Sequence, residues 1–565
     1  MRTLSVLLLA TCALAQATFA QDPQSPPLPE AKALEVPARI GIISSTPISL
    51  KEVIERVVAN DKDLQVSRIA REEAVYNVRG AQGYFDPRIG LNAHRLHSTT
   101  PVASVLGGAP NGKLTQDEWL ADPQFSGLFP ALGGSYKVDF SSARQTTNSQ
   151  FATLSPQFPT SVNLNLTQPL WRGLRYDDNR YRLQVARKNT SLTSEQFRQR
   201  LIEITTQAIQ AYWELDFAYR NLQVQVEAVR LAEQQDASNR RQVAQGLLAP
   251  IDVIQTQTQI ATFKQNVFAA QQMLTSAENA VKVLTLPDRN DLMWSAALVP
   301  EGHAEDARLA IPALDDAVKH ALDGRPELAQ SALSIEINQL DSKLSHERSK
   351  PQIDAVATVS ATGLAGTQLA AQTNSFASAF GPLVDRLSTL SALAGLPPVP
   401  QINLGGGSVP PIFIGGYGQS LSGLAGGNFP SATLGLQVSL PLRNRTALAQ
   451  EALSSAEGRR LKVQRQQLEM AIEQDVRNAL QLASSAQAQL DAAIDARSYA
   501  EQQYASEQRQ FLAGTSTVYL VLQRQTALIG ARTSEIRARS NLREAGANVD
   551  RATSRTIETL GLAVQ

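Results

Sequence analysis

The 565-residue chain carries 52 basic against 52 acidic residues, a balance that argues against a nucleic-acid or anionic-surface binder, since those depend on excess positive charge. Its only cysteine, Cys12, sets no disulfide framework. Length alone would suggest three or four domains, but long helices and an internal repeat override that expectation.

Met1-Arg2, the apolar run from Leu4 to Ala10 and the small residues up to Ala20 have the layout of a secretory signal over 1–20, too short to span a bilayer. Cys12 is then removed with it; a lipoprotein reading of Leu9-Ala10-Thr11-Cys12 competes. Residues 21–48, rich in proline, read as an extended lead. From Ser49 to about Gly83 the spacing of Leu50, Val53, Ile54, Val57, Val58 and Leu64 predicts one helix, with Ser49 as N-cap and Glu52 as its capping-box partner. Asp86-Pro87 ends it, and Ile89, Leu91 and Ala93 alternate with polar residues as a strand. Positions 99–157 read as loop, with Tyr136, Val138 and Phe140 a candidate added strand. Val162, Leu164 and Leu166 form the next strand before Pro169.

From Asp177 to Gln245 there is neither proline nor glycine, and Leu201, Ile204, Ala208, Ala211, Leu215, Ala218, Leu222, Val229 and Ala232 keep a 3,4 spacing. A helix of that extent is roughly 100 Å long at 1.5 Å per residue. Gly246 to Pro250 is a turn, a helix follows to Leu286, and residues 287–312 with three prolines read as a linker. The order then repeats: helix 313–349, a strand from Ile353 to Ser360, a Gly, Ser and Ala-rich loop 361–429, and a strand through Leu434, Leu436, Val438 and Leu440. A long helix from Thr446, with Ile472, Val476, Ala479, Ala483, Ala486, Leu490 and Ala493 at 4,3 spacing, leads to a turn at Gly514 and a last helix. No apolar run after the signal reaches 18 residues, so no transmembrane helix is expected.

The two halves are copies. Positions 50–94 align with 314–358 without a gap, an offset of 264 (314 − 50), with Leu64 over Leu328, Pro87 over Pro351 and Ile89 over Ile353. Leu166 to Leu170 matches Val438 to Leu442. The first repeat covers 49–286 and the second 313–565. Four alternating strands of about ten residues suit tilted membrane strands, and four cannot close a barrel or leave edges open in lipid, so the chain must associate.

The duplicated order, the strand ends Gln168-Pro169-Leu170-Trp171 and Ser439-Leu440-Pro441-Leu442, and the turn Gly246 to Val253 resemble the TolC-like outer-membrane efflux proteins over nearly the whole mature chain. The resemblance implies a mainly α protein with a membrane β-barrel. A homotrimer would close a twelve-stranded barrel, four strands per chain, continued by a long α-helical periplasmic tunnel. It also implies an exit duct in the outer membrane of a Gram-negative-type bacterium, serving tripartite efflux or type I secretion. The implied partners are outer-membrane lipid, a periplasmic adaptor and an inner-membrane RND, ABC or MFS transporter, without nucleic acid.

By the same resemblance Gly246, Leu247, Leu248, Ala249 and Pro250, with Gly514, Thr515, Ser516 and Thr517, form the tip that meets the adaptor; a plain helix hairpin is the alternative. Acidic residues expected near the second tip are replaced by Leu520 and Gln523, whereas the first repeat has Asp252 and Gln255. These four are the candidate pore constriction, Asp252 as a cation-attracting ring or as a helix-start carboxylate. Trp171 and Tyr176 suit an interfacial aromatic belt or plain packing, and Tyr212 and Trp213 suit packing. His94 and His97 lack a third metal ligand nearby, and Gly405-Gly406-Gly407 lacks the setting of a phosphate loop. With no catalytic constellation, no enzyme and no cofactor are expected; a soluble periplasmic coiled-coil scaffold is the competing class, which leaves the symmetric strands unexplained.

Overall fold

The computed structural model describes residues 34–103, 108–301, 308–369, 375–397 and 409–562. The signal segment, Cys12 and Gly405-Gly406-Gly407 fall outside the described residues. In chain order the elements are β1 (Ser44–Ile48), α1 (Leu50–Asn60), α2 (Lys62–Gln82), β2 (Arg88–Pro101), β3 (Lys113–Leu128), β4 (Ser135–Thr147), β5 (Leu154–Pro169), α3 (Asp178–Ala244), α4 (Pro250–Thr285) and β6 (Ala296–Pro300). The second half supplies α5 (Leu314–Gly324), α6 (Pro326–Ser349), β7 (Gln352–Gln368), α7 (Ser375–Leu393), α8 (Tyr417–Ala425), β8 (Phe429–Ser439), α9 (Arg445–Leu512), α10 (Val518–Ala552) and α11 (Thr556–Thr559).

The single helix expected from Ser49 is two. The Ser49 side chain accepts from the Glu52 N–H at 3.2 Å, as a cap should, but Asp61 turns extended (φ −56°, ψ 132°) and parts α1 from α2. The second repeat breaks at Arg325 (φ −71°, ψ 128°), the equivalent position at the same offset of 264 (325 − 61). There the cause is local, because Pro326 disfavours the helical region for the residue before it.

The chain divides into two compact units. The first comprises residues up to 62, 202–318 and 475–563. Its helices pack along the alanine seams: Ala208, Ala218, Ala228, Ala232 and Ala483 are fully buried. Ala228, Val229 and Ala232 of α3 meet Ile260, Phe263 and Val267 of α4 and Ile529 of α10 in one apolar cluster. Alanine at these places brings helix backbones close, which the leucine-rich seam of an ordinary coiled coil would not.

Two segments read as irregular contribute a sheet here. β1, from the proline-rich lead, pairs in parallel with β6, from the linker, Ser44 opposite Ala296 and Ile48 opposite Pro300. A buried charge cluster holds them to α4: the Glu278 carboxylate accepts from Arg39 at 2.7 Å, from the Leu298 N–H at 3.0 Å and from Lys282 at 3.0 Å. Lys282, fully buried, also donates to the Trp294 carbonyl at 2.9 Å. Buried charges are tolerable only when so completely hydrogen-bonded.

The second unit comprises 63–201 and 319–474 and is built on a six-stranded antiparallel sheet in the order β2-β3-β4-β5-β7-β8. The four expected strands are present as β2, β5, β7 and β8. Between the two strands of the first repeat the sheet also takes in a hairpin of β3 and β4, within the segment expected as loop. Tyr136, Val138 and Phe140 do lie on a strand; β3 was hidden by Asp117-Glu118 and by Pro123, which has no N–H to donate. The β3–β4 ladder skips there, running from Ala121 opposite Ser142 to Gln124 opposite Asp139.

The loop expected over 361–429 holds α7 and α8. Helix α8 seats on the sheet through Ser420, whose hydroxyl lies 2.8 Å from that of Thr160. Opposite Thr160 stands Gly363, where a methyl group would come within 2.2 Å of the Ser420 carbonyl oxygen. Only glycine permits that approach.

Candidate functional site: helix tips and sheet faces

Both helix turns of the first unit are built alike. At the end of α3 the Gly246 N–H donates to the Val243 carbonyl and the Leu247 N–H to the Gln242 carbonyl, each at 2.9 Å. At the end of α9 the Gly514 N–H donates to the Phe511 carbonyl and the Thr515 N–H to the Gln510 carbonyl, each at 3.0 Å. Each glycine has φ +75°. This paired bonding closes a helix C-terminus and needs the left-handed residue that glycine supplies.

The following helices start differently. Pro250 opens α4, and Asp252 accepts from the Ala249 N–H at 3.2 Å through its carboxylate; alanine has no acceptor to return, so half of a capping box is present. At α10, Thr517 is the cap, its hydroxyl accepting from the Leu520 N–H at 3.4 Å. Asp252 and Leu520 are therefore the same third position of their helices. Asp252 is half-buried and engaged in the cap, Leu520 is half-buried, and Gln255 and Gln523 are exposed.

Leu248 of the first turn packs with Tyr504 against the buried cluster of Phe511, Val518, Val521 and Leu522, so the two turns share a core. Ser516 donates to Glu507, and the Thr515 hydroxyl to the Gln510 carbonyl at 3.1 Å. What the turns leave outside is apolar: Leu247 and Leu512 are each 71% exposed, with Ile251 and Tyr519 also exposed. Ala249, Pro250 and Thr517 are exposed as well.

In the second unit the strand register sorts side chains onto two faces. One face carries Ile89, Leu91 and Ala93 of β2, then Phe125, Ala121 and Trp119 of β3, then Tyr136, Val138 and Phe140 of β4. It continues through Leu166, Leu164 and Val162 of β5, Ala357, Val359 and Ala361 of β7, and Leu434, Leu436 and Val438 of β8. The other face carries Asn92, Gln124, Asp139, Asn163, Ser360 and Gln437 at comparable heights. On the apolar side Ile89 is 85% and Leu434 83% exposed, both on edge strands whose two faces are open, and Phe125 and Trp119 of β3 are also exposed, while Asp139 on the polar side is buried. The row is half-buried on β4 and β5, and α8 lies on the same face at Thr160 and Gly363; alternation of apolar and polar side chains from strand to strand, with large apolar residues left exposed, is a pattern of lipid-facing strands.

Tyr176 proves to be a packing residue, buried beneath the Lys343 ammonium 4.4 Å from its ring centroid, with burial pushing its phenol up to about 12. Trp171, at the end of β5, is exposed. Tyr212 and Trp213 pack edge to face at 5.2 Å, and the buried Tyr212 hydroxyl donates to the Glu301 carbonyl at 2.6 Å. His94 and His97 fall on opposite faces of β2; His97 bonds Asp117 at 2.7 Å, and no group of three metal-binding side chains occurs among the described residues.

A family model for outer membrane efflux proteins matches residues 120–285 and 384–555. The chain belongs to the outer membrane efflux protein family. Among solved structures, the fold of this efflux protein is similar to that of CusC, described as forming a transmembrane channel, with a TM-score of 0.60 and 15% identity over 95% of this chain and 99% of that one. It is similar to the CmeC outer membrane channel of Campylobacter jejuni (TM-score 0.60, 13% identity, 94% of each chain) and to the outer membrane protein VceC of Vibrio cholerae (TM-score 0.57, 15% identity, 91% and 97%). No curated protein sequence matches it. Membership sets aside the soluble-scaffold reading and places the protein as an efflux channel of the outer membrane.

Proposed function

We propose that three copies of this efflux protein assemble into a passive exit duct, without chemistry of its own, that lets substrates driven by an inner-membrane transporter leave through the outer membrane. The observation that supports the reading is the row of apolar side chains that the register carries from strand to strand, exposed at Ile89, Phe125, Val359 and Leu434 and ending in two unpaired edges, β2 and β8. Unpaired strand edges are not tolerated in hydrocarbon, so neighbouring copies must pair them.

The two turns are the docking tip for a periplasmic adaptor of an RND, ABC or MFS transporter. Leu247, Ile251, Leu512 and Tyr519 supply exposed apolar surface there, next to the exposed backbone of Gly246 and Gly514. Asp252, with Gln255, Leu520 and Gln523 beside it, forms the constriction; its carboxylate caps α4 and adds negative charge at the same place.

Membrane fractionation with gels of unheated and heated samples tests the duct: a heat-dissociable trimer in the outer membrane is expected, and a monomer wholly in the soluble periplasm refutes it. In planar bilayers, Asp252→Asn is expected to lower cation selectivity while leaving the trimer intact. Unchanged selectivity removes Asp252 from the constriction.

A further inference from the structure

The face of the sheet opposite the apolar row encloses a cavity of about 500 Å³. Two of its lining residues, Pro159 and Thr362, lie ten residues from Pro169 and Gln352 (169 − 159, 362 − 352), the ends of β5 and β7 that lead to α3 and away from α6. At 3.4 Å per residue that places the cavity roughly 34 Å along the strands from those helices. We propose that it binds a monovalent organic cation with an aromatic or branched apolar body. The site stands on the cavity's own chemistry; that molecules leaving through the duct pass it rests on the function proposed above.

One charged side chain lines the cavity, Glu118 of β3, and no lysine or arginine does among the described residues. Its Oε2 accepts from Gln145 Nε2 at 3.0 Å, and Gln145 Oε1 in turn accepts from Gln157 Nε2 at 2.7 Å. The three stand in one row of the register, Glu118 opposite Gln145 and Gln145 opposite Gln157. Each amide donates toward the carboxylate, so the chain of bonds fixes its direction while leaving its charge uncompensated. The other oxygen, Oε1, faces the exposed His94 ring at 3.9 Å, beyond hydrogen-bond reach. The Glu118 side chain is only 22% exposed, and a carboxylate partly withdrawn from water without a counter-ion is complementary to a cation.

The rest of the wall selects an organic body over a metal ion. Leu120, Pro159 and Leu364 line it together with Phe413 and Phe429, whose rings stack with centroids 5.5 Å apart and planes 19° from parallel. Mostly apolar walls with few polar groups suit a small organic molecule, and aromatic rings attract onium groups through their quadrupole. A metal would need several oxygen or nitrogen ligands, and no group of three occurs among the described residues. The ring of Phe413 is placed in advance: it ends a single turn, Pro411–Phe413, and two residues on the Gly415 N–H donates to the Gly366 carbonyl of β7 at 3.0 Å. Such preorganisation lowers the entropy cost of binding.

The test is isothermal titration calorimetry on the full-length protein in lipid nanodiscs, with benzyltrimethylammonium as the probe and phenylmethanesulfonate, an anion of similar size, as its counterpart. Saturable binding of the cation and none of the anion is expected. Glu118→Gln, which keeps an acceptor for Gln145, is expected to weaken the cation about tenfold, and Phe429→Leu about threefold, while His94→Ala leaves it unchanged. Equal affinity for the anion, or an unchanged constant in Glu118→Gln, overturns the site. A benzophenone-bearing quaternary ammonium photolinked to the unsubstituted protein gives the answer without any variant: adducts at Phe413 or Phe429 are expected, and adducts only elsewhere refute the assignment. A monomeric protein that still binds the cation removes the duct and keeps the site, whereas an outer-membrane trimer that does not bind it removes the site and keeps the duct.

Discussion

The guanidinium of Arg180, fixed by the Asp177 carboxylate at 2.7 Å, reaches from the start of α3 to the carbonyl of Ala131 at 3.0 Å, joining the β3–β4 turn to the chain that leaves β5. The same group also donates to the carbonyls of Gly173, Leu174 and Arg175 at 2.9 to 3.1 Å. One side chain thus closes two loops. Hydrogen bonds from a charged donor contribute about 1.5–3 kcal/mol each. Arg180→Ala is expected to raise amide exchange at Gly133 and Gly134 and to open residues 129–134 to protease while the trimer persists. Arg180→Lys, which lacks the planar fork, is expected to rescue only part of the protection.

The two tip glycines carry a cost of backbone and not of space. Nothing lies within 4 Å of a methyl group added at Gly246 or Gly514, so the penalty of Gly246→Ala or Gly514→Ala comes from φ +75° alone, roughly 1–2 kcal/mol. Asparagine, which visits that region more readily, is expected to be milder. Limited proteolysis at the turns ranks the three residues as glycine, asparagine, alanine from most to least protected; equal protection removes the strain argument.

Arg551 grips Asp475 with two bonds, 2.9 and 3.1 Å, between α10 and α9. Both side chains are 31% exposed, which limits the coupling to about 0.5–1 kcal/mol. A double-mutant cycle of Asp475→Asn and Arg551→Gln, read by thermal dissociation of the trimer, is expected to show that coupling, shrinking in high salt. Strict additivity makes the pair ornamental.

Glu544 is held above its ordinary value of 4.5, chiefly by burial, against the opposing pull of the Ser540 hydroxyl at 3.0 Å and of Arg537. A carboxyl raised in the folded state favours folding when protonated, and that stability is lost as pH rises through the raised value. At neutral pH the buried charge is therefore unfavourable. Glu544→Gln is expected to raise the dissociation temperature at pH 7 and to lose the advantage below about pH 4, where the native residue is protonated in both states. An advantage that persists at acid pH assigns the effect to packing.

The amino-acid sequence by itself determined the duplication, the class of each long helix, four of the six strands, and both turns, because each of these is written in one segment's own period or in a glycine that only one backbone geometry requires. The repeat makes Asp61 and Arg325 equivalent positions at the offset of 264, but that the first helix of each repeat breaks there is seen only in the structure. Tertiary structure decided what depends on a partner distant in the chain. β1 and β6 are too short and too rich in proline to declare themselves, and exist because each completes the other. β3 interrupts its own alternation with Asp117-Glu118 and Pro123, and becomes a strand because β2 and β4 supply ladders on either side. Gly363 looked like any loop-rich glycine until Ser420 arrived above it. Asp252 could be a pore ring or a cap on sequence grounds, and the fold commits its carboxylate to the Ala249 N–H. Local period reports burial against something, and only the folded chain says against what.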